Sequence, residues 1–222
     1  MAHHGATRRI VDAVDKVFAG SIPDVYDDYL VSLIFEQYAD DLAQRTAALN
    51  PRRVLEVAAG SGVVSRAVAA VLKPSARYVV TDLNPPMLDR AASMQDDPDR
   101  VEWQAADALE LPFEVGTFDL VLCQFGAVFF PDRVRAYRET HRVLREGGSF
   151  IFNMWDRIEE NDIAHEVTRA LAEVFPDDSR SFLRRTPHGH YDTATYRSEL
   201  EAAGFRDVEI EPVDAISVAA RV

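Results

Sequence analysis

The sequence has a single cysteine, Cys123, among 222 residues. An internal disulfide is therefore impossible, and a lone thiol suits a reducing compartment. Glycine is also scarce, at 10 positions, which excludes a collagen-like or low-complexity chain. No apolar run approaches the ~20 residues that cross a bilayer. The opening MAHHGATRRI lacks the apolar stretch of a secretory leader. Positive charge is sparse and scattered: 24 Lys and Arg stand against 37 Asp and Glu, a net charge of −13. A phosphate backbone needs a basic stripe, so nucleic acid is a poor partner. These absences point to a soluble acidic domain in the cytoplasm. Apolar residues make up 47% of the chain, ample for one hydrophobic core.

The few glycines punctuate apolar runs rather than interrupt them. Gly60 and Gly62 close VLEVAAGSG, Gly116 precedes FDLVLC, Gly147-Gly148 precede SFIFNMW, and Gly204 precedes FRDVEI. That is how glycine is placed in an alternating strand and helix protein. The runs predict strands at 53–58, 77–81, 101–105, 118–124, 150–155 and 205–210, with Ala215–Val222 as a further edge strand. Helices are expected at 10–18, from Ser21 through Leu49, at 63–72, after Asn84 as cap, from Pro131-Asp132 to Arg145, at 159–175 and at 193–203. The pair Gly147-Gly148 is expected to stop the fifth of these, as C-caps do. Strands alternating with helices imply parallel βαβ units in a doubly wound α/β fold. The whole reads as one domain, with residues 1–50 forming an N-terminal helical lid on a core at 51–222.

In such a sheet ligands bind beyond the carboxyl ends of the strands, so the chemistry belongs in the loops. After the first strand come Glu56, Gly60 and Gly62. Paired glycines admit a close ligand, and the following helix offers unpaired N–H groups. A dinucleotide fingerprint would place a third Gly or Ala at Ser65, and Glu56 would repel a pyrophosphate. After the second strand stands Asp82, about where a carboxylate that accepts from both hydroxyls of a ribose belongs. After the third stands Asp107 between Ala106 and Ala108. An acid there accepts from an exocyclic amino group while an adjacent N–H donates to a ring nitrogen, a pair of bonds that identifies adenine.

The ordered segments VLEVAAGSG, TDLNPPML, WQAADALELPF, FDLVLCQFGAVFFPD and HRVLREGGSFIF resemble the signature of class I S-adenosylmethionine-dependent methyltransferases. The small-molecule group that includes ubiquinone and menaquinone biosynthesis methyltransferases is the nearest in character. The resemblance covers about residues 25–210. It implies a seven-stranded, Rossmann-like, mostly parallel sheet with an antiparallel last strand, for which the chain leaves only its final residues. It also implies roles. Glu56 would lie near the methionyl ammonium, with Ala58, Gly60 and Gly62 in the loop beneath the cofactor. Asp82 would hold the ribose, Leu83 and Met87 would flank adenine, and Ala106, Asp107 and Ala108 would read its edge. Gln124 and Phe125 would wall the methyl-donor end. The family often has Gly where Ala58 stands; a methyl group is tolerable there if φ is negative.

Methyl transfer from a sulfonium is an in-line displacement that neutralises charge, so alignment in a dry site supplies most of the acceleration. No metal is required, and no ligand spacing is present. The expected acceptor is an O or C nucleophile on a small, partly apolar molecule. Tyr26, Tyr29 and Phe129 are the preferred acceptor contacts, within an aromatic set that includes Phe35, Tyr38, Phe130 and Trp155. A hydroxyl acceptor calls for a base. In RTPHGHY both His188 and His190 are placed for it, and His190 is the candidate chosen. Cys123, inside an apolar run, is read as packing. Two other classes share the architecture: a non-catalytic S-adenosylmethionine-binding module and an NAD(P)-dependent oxidoreductase.

Overall fold

The computed structural model describes residues 34–174 and 182–216. The helix expected at 10–18, residues 21–33 of the stretch expected from Ser21 through Leu49, the lid contacts Tyr26 and Tyr29, and most of the edge strand 215–222 lie outside the described residues; the remainder of that stretch is helical over Glu36–Leu49. Five parallel strands form one sheet: β1 (Arg53–Glu56), β2 (Arg77–Asp82), β3 (Glu102–Ala105), β4 (Phe118–Gln124) and β5 (Leu144–Asn153), in the order β3-β2-β1-β4-β5. The connections are α1 (Glu36–Leu49) before β1, α2 (Val63–Val71), α3 (Pro85–Ser93) and α4 (Arg133–Val143). After β5 follow α5 (Asp162–Val174), α6 (Phe182–Arg185) and α7 (Thr193–Ala203).

Period-two alternation explains why the sheet is covered on both faces. Val54, Tyr78, Val80, Leu120 and Leu122 pack on one side with Leu42, Val64, Val68 and Leu88 from α1, α2 and α3. Leu55, Val79, Val121 and Cys123 face the other side, against Tyr137 and Val143 of α4 and Tyr196 and Leu200 of α7. Arg133 ties α4 to α7 through a two-pronged pair with Glu199 at 2.6 and 2.7 Å. At the other end of the sheet, the Asp119 carboxylate accepts from the N–H groups of Arg52 and Arg53 at 2.6 and 3.0 Å.

Two expectations are corrected. The helix before β5 ends at Val143, and Gly147-Gly148 lie within the strand instead of stopping the helix. Leu144 is already extended and pairs with Phe118, after which β5 advances to Ser149 while β4 advances only to Leu120. The glycines accommodate this bulge: Gly147 has φ +72°, and a Cβ on Gly148 would stand 3.0 Å from the carbonyl oxygens of Arg145 and Asp119. The segment Phe205–Ile210 is irregular, not a strand. Among the described residues it has no ladder partner, and an unpaired extended segment does not count as sheet. Phe205 docks instead on the rings of His141 and Phe150.

The chain runs outward from β1 to β3 and then returns to β4 on the other side of β1. The reversal lies between β1 and β4, where a crevice opens beyond the strand ends.

Candidate functional site

The two turns at that reversal are both built on left-handed backbone. Ala58, just past β1, has φ +53°, and Phe125, just past β4, has φ +52°. The condition set for Ala58, a negative φ, therefore fails, and its methyl group sits in a conformation that costs on the order of 1 kcal/mol. What makes it fit sterically is Gly126: a Cβ there would come within 2.5 Å of the Ala58 Cβ and 3.0 Å of the Cys123 sulfur. The turns thus abut, and the Ala58 methyl group is accepted because position 126 has no side chain.

Asp82 ends β2 and is 6% exposed. Its Oδ2 accepts from the Gly60 N–H at 2.9 Å, so the acid fixes the glycine loop that follows the neighbouring strand β1. Its Oδ1 accepts from the Asn84 N–H at 2.8 Å and the Asn84 side-chain amide at 3.2 Å. Asn84 occupies the N-cap position of α3 but makes no capping bond; its side chain turns back to Asp82. Oδ2 keeps capacity for a second donor, and a turn of the Asn84 amide would release the same on Oδ1.

Glu56 is corrected. It is 1% exposed and points into the core instead of lining the cleft. Its Oε2 accepts from the Ser65 hydroxyl at 2.8 Å and from the Tyr78 hydroxyl. Burial raises its pKa to about 7, opposed by those two hydrogen bonds and assisted by the charge of Asp82. The acid therefore braces β1, β2 and the first turn of α2 from beneath the loop. It also explains Ser65, the residue that breaks the dinucleotide fingerprint. Tyr78 was the unread partner; a tyrosine inside an apolar strand is a signal that a polar group must face it.

Gly60, with φ +57°, lines the cleft. Gly62 is buried behind it, where a Cβ would meet the Ala91 Cβ at 2.7 Å, so it serves the packing of α2 on α3. Leu83 is 62% exposed at the cleft edge, with Met87 buried beside it. Ala106, Asp107 and Ala108 line the same edge. The Ala106 N–H is committed to the Asp82 carbonyl at 3.0 Å, which removes it as a reader of a ligand. Asp107 accepts from the Leu109 N–H at 2.8 Å, which holds its loop in a turn.

On the other flank, Gln124 and Phe125 are gripped by Asn153 at the end of β5. Asn153 Oδ1 accepts from the Phe125 N–H at 3.0 Å, and its amide donates to Gln124 Oε1 at 3.2 Å. Gln124 Nε2 reaches the Phe35 carbonyl at 3.3 Å. The Phe125 ring stacks on Trp155 with centroids 3.8 Å apart, and Phe35 and Tyr38 close on that stack at 5.3–5.9 Å. Phe129 and Phe130 line the cleft nearby. Asn153 was not anticipated, since an Asn at a strand end carries no signal by itself.

His190 is also corrected: it is exposed and is not among the cleft-lining residues. His188, two residues earlier, is 6% exposed and lines the cleft. Cys123 is buried, and burial pushes its thiol up to about 12, so it is packing and not a nucleophile. Among the described residues there is no cluster of His, Cys, Asp and Glu able to hold a metal, and no helix is long and apolar enough to cross a membrane.

Residues 55–152 match the family model described as a methyltransferase domain. That match runs from β1 into β5, the part of the chain that frames the cleft. Among the chain's relatives is the ubiquinone/menaquinone biosynthesis C-methyltransferase UbiE of Hahella chejuensis, 29% identical over 163 residues, which are 68% of this chain and 66% of that one. A mitochondrial 2-methoxy-6-polyprenyl-1,4-benzoquinol methylase of Caenorhabditis elegans is 28% identical over 72% of this chain and 60% of its own length. The chain thus spans 60% and 66% of the lengths of these two relatives. In fold, the methyltransferase domain is similar to a Methanococcus maripaludis structure described as an S-adenosylmethionine-dependent methyltransferase. The TM-score is 0.66 and the identity 20%, over 87% of this chain and 86% of that one. The residues on the β1–β3 side fit such a cofactor. The glycine loop has the close-approach geometry, Asp82 keeps acceptor capacity, and the exposed Leu83 offers an apolar surface.

Proposed function

We propose that the methyltransferase domain moves the methyl group of S-adenosylmethionine onto oxygen or carbon of a small hydroxylated ring. The observation that carries this reading is the division of one cleft. A carboxylate and glycine flank suits a nucleoside, and an aromatic flank of Phe35, Tyr38, Phe125 and Trp155 suits a planar apolar partner. One relative is named a C-methyltransferase of ubiquinone/menaquinone biosynthesis and another a benzoquinol methylase, which favours carbon within that class. Asp82 takes the ribose hydroxyls, Leu83 and Met87 bracket the adenine, and Asp107 with the Ala108 N–H reads its edge. Ala58 and Gly60 lie under the methionyl part, and Gln124, Phe125 and Phe129 bound the space where methyl and acceptor meet.

When bound, S-adenosylmethionine supplies an electrophilic methyl carbon on a sulfonium. The protein's part is to align and to exclude water, because a reaction that neutralises charge gains from a dry site. Aromatic rings beside a sulfonium also stabilise it through their quadrupoles. An oxidoreductase is disfavoured by Ser65, whose hydroxyl is committed to Glu56 where the fingerprint wants a small residue against the pyrophosphate turn. The cheapest test is thermal unfolding with S-adenosylhomocysteine or NADH. At ~100-fold excess over Kd, a ligand adds ~2.7 kcal/mol. Protection by S-adenosylhomocysteine and not by NADH is expected, and the reverse overturns the reading. A labelled-methyl screen over phenols, quinols, carboxylates and amines then separates acceptor classes and a silent binding module from an enzyme.

A further inference from the structure

His188 is placed in a way that no other histidine of the described residues matches. Its Nδ1 lies 2.8 Å from the Asp156 backbone oxygen. A carbonyl oxygen can only accept, so Nδ1 must carry the proton, and in the neutral ring Nε2 is then an acceptor. The residue is almost fully buried yet lines the cleft. Its ring lies 5.6 Å from that of Trp155, which itself stacks on Phe125 at the tip of β4. The Trp155 indole therefore neighbours both a tautomer-locked imidazole and the strand end where methyl and acceptor are taken to meet.

We propose that His188 is the catalytic base: its Nε2 takes the hydroxyl proton of an aromatic acceptor seated against Trp155. This rests on the reading above and adds a residue and a substrate class to it. The step balances as follows. The O–H bond of the acceptor breaks and its proton passes to Nε2, giving an imidazolium. The electron pair of the resulting phenolate forms the new bond to the methyl carbon, from oxygen or from an adjacent ring carbon. The carbon–sulfur bond breaks with its pair going to sulfur, which leaves a neutral thioether. Attack from carbon gives a neutral dienone, whose carbonyl oxygen takes a proton from solvent while water removes the ring C–H proton and its electron pair restores the aromatic phenol. The imidazolium then returns its proton to solvent.

The charged groups facing His188 are the Asp156 and Glu159 carboxylates, the latter paired with Arg184 at 2.7 Å. Both support the cation when it forms. Burial, the larger influence, lowers the pKa of the resting imidazole, which keeps it neutral and able to accept. His190 lacks the geometry: it is exposed and outside the cleft lining.

The test uses the whole chain saturated with S-adenosylhomocysteine and 4-nitrophenol as the probe, whose absorbance reports its ionisation. Below the pH at which the free phenol ionises, the wild-type complex should show bound phenolate. His188→Asn keeps a donor for the Asp156 carbonyl and removes Nε2; it should bind the probe un-ionised. His188→Gln is the second variant, and unchanged S-adenosylhomocysteine affinity confirms that each is folded. Equal ionisation in wild type and variants, or failure of wild type to bind the probe while it binds S-adenosylhomocysteine, overturns the proposal. Failure to bind S-adenosylhomocysteine at all refutes the cofactor reading instead. With a turned-over acceptor, loss of the base should lower kcat by ~10²–10⁴-fold and remove the low-pH limb of the kcat profile.

Discussion

On the β1–β2 flank of the cleft, the polar groups are backbone and carboxylate, wired by hydrogen bonds that span at most 22 residues of sequence. Asp82 holds Gly60 and Asn84, and Glu56 holds Ser65 and Tyr78. On the β4–β5 flank they are rings from four separate stretches of chain, Phe35 and Tyr38, Phe125, Trp155 and His188, held by Asn153 and by each other. On the proposed reading, the first flank presents fixed charge and fixed loops to a cofactor whose polar groups do not vary. The second presents apolar area whose shape is set by packing. A change on the first should alter cofactor binding, and a change on the second should alter acceptor binding.

The sharpest break of that contrast is Asp82→Ala against Trp155→Ala. Asp82→Ala removes the proposed ribose acceptor and the clamp on Gly60. Two hydrogen bonds to a charged group, at ~1.5–3 kcal/mol each, amount to ~100-fold or more in affinity. Calorimetric titration with S-adenosylhomocysteine should show that loss, while Trp155→Ala should stay within ~3-fold of wild type. Similar affinities for Asp82→Ala and wild type would end the division of labour.

A second test concerns Glu56, whose folded pKa of about 7 exceeds its ordinary value of 4.5. The folded state then holds a proton that the unfolded state releases, so this contribution is full below pH ~4.5 and is lost as pH rises through ~7. Glu56→Gln keeps an acceptor for Tyr78 and Ser65 and cannot ionise. Relative to wild type it should gain up to ~3 kcal/mol in urea-measured stability between pH 5 and pH 8.5. Parallel pH profiles for the two proteins would show Glu56 to be ionised and paired instead.

The smallest effect is expected at Ala58. Glycine accepts φ +53° without the Cβ penalty, so Ala58→Gly should raise stability by no more than ~0.6 kcal/mol, the ~1 kcal/mol of strain released less the ~0.4–1 kcal/mol of entropy glycine adds to the unfolded chain. A lower Tm would mean that the methyl contact with Gly126 outweighs the strain.

The same two flanks explain what was legible in the sequence. Strands β1 to β4, Asp82, Gly60 and Asp107 follow from local pattern and spacing, because each acid sits at a strand end a fixed distance from a glycine or a cap. The inward turn of Glu56 was not legible, since its partners Ser65 and Tyr78 lie on different elements and only folding brings them together. The positive φ of Ala58 was hidden for the same reason: the space that permits it is the missing side chain of Gly126, 68 residues away in sequence. His188 and His190 are indistinguishable in RTPHGHY; burial and the Asp156 carbonyl separate them. The strand expected at 205–210 failed because apolar alternation marks a face to bury but does not supply a neighbour to pair with.

The most direct measurement is an experimental structure of the complex with S-adenosylhomocysteine. The account predicts the ribose hydroxyls on the Asp82 carboxylate, the adenine between Leu83 and Met87 with its amino group toward Asp107, and the sulfur directed at the Phe125–Trp155 stack. A nucleoside bound elsewhere, or one whose ribose leaves Asp82 on Gly60 and Asn84 alone, would contradict it.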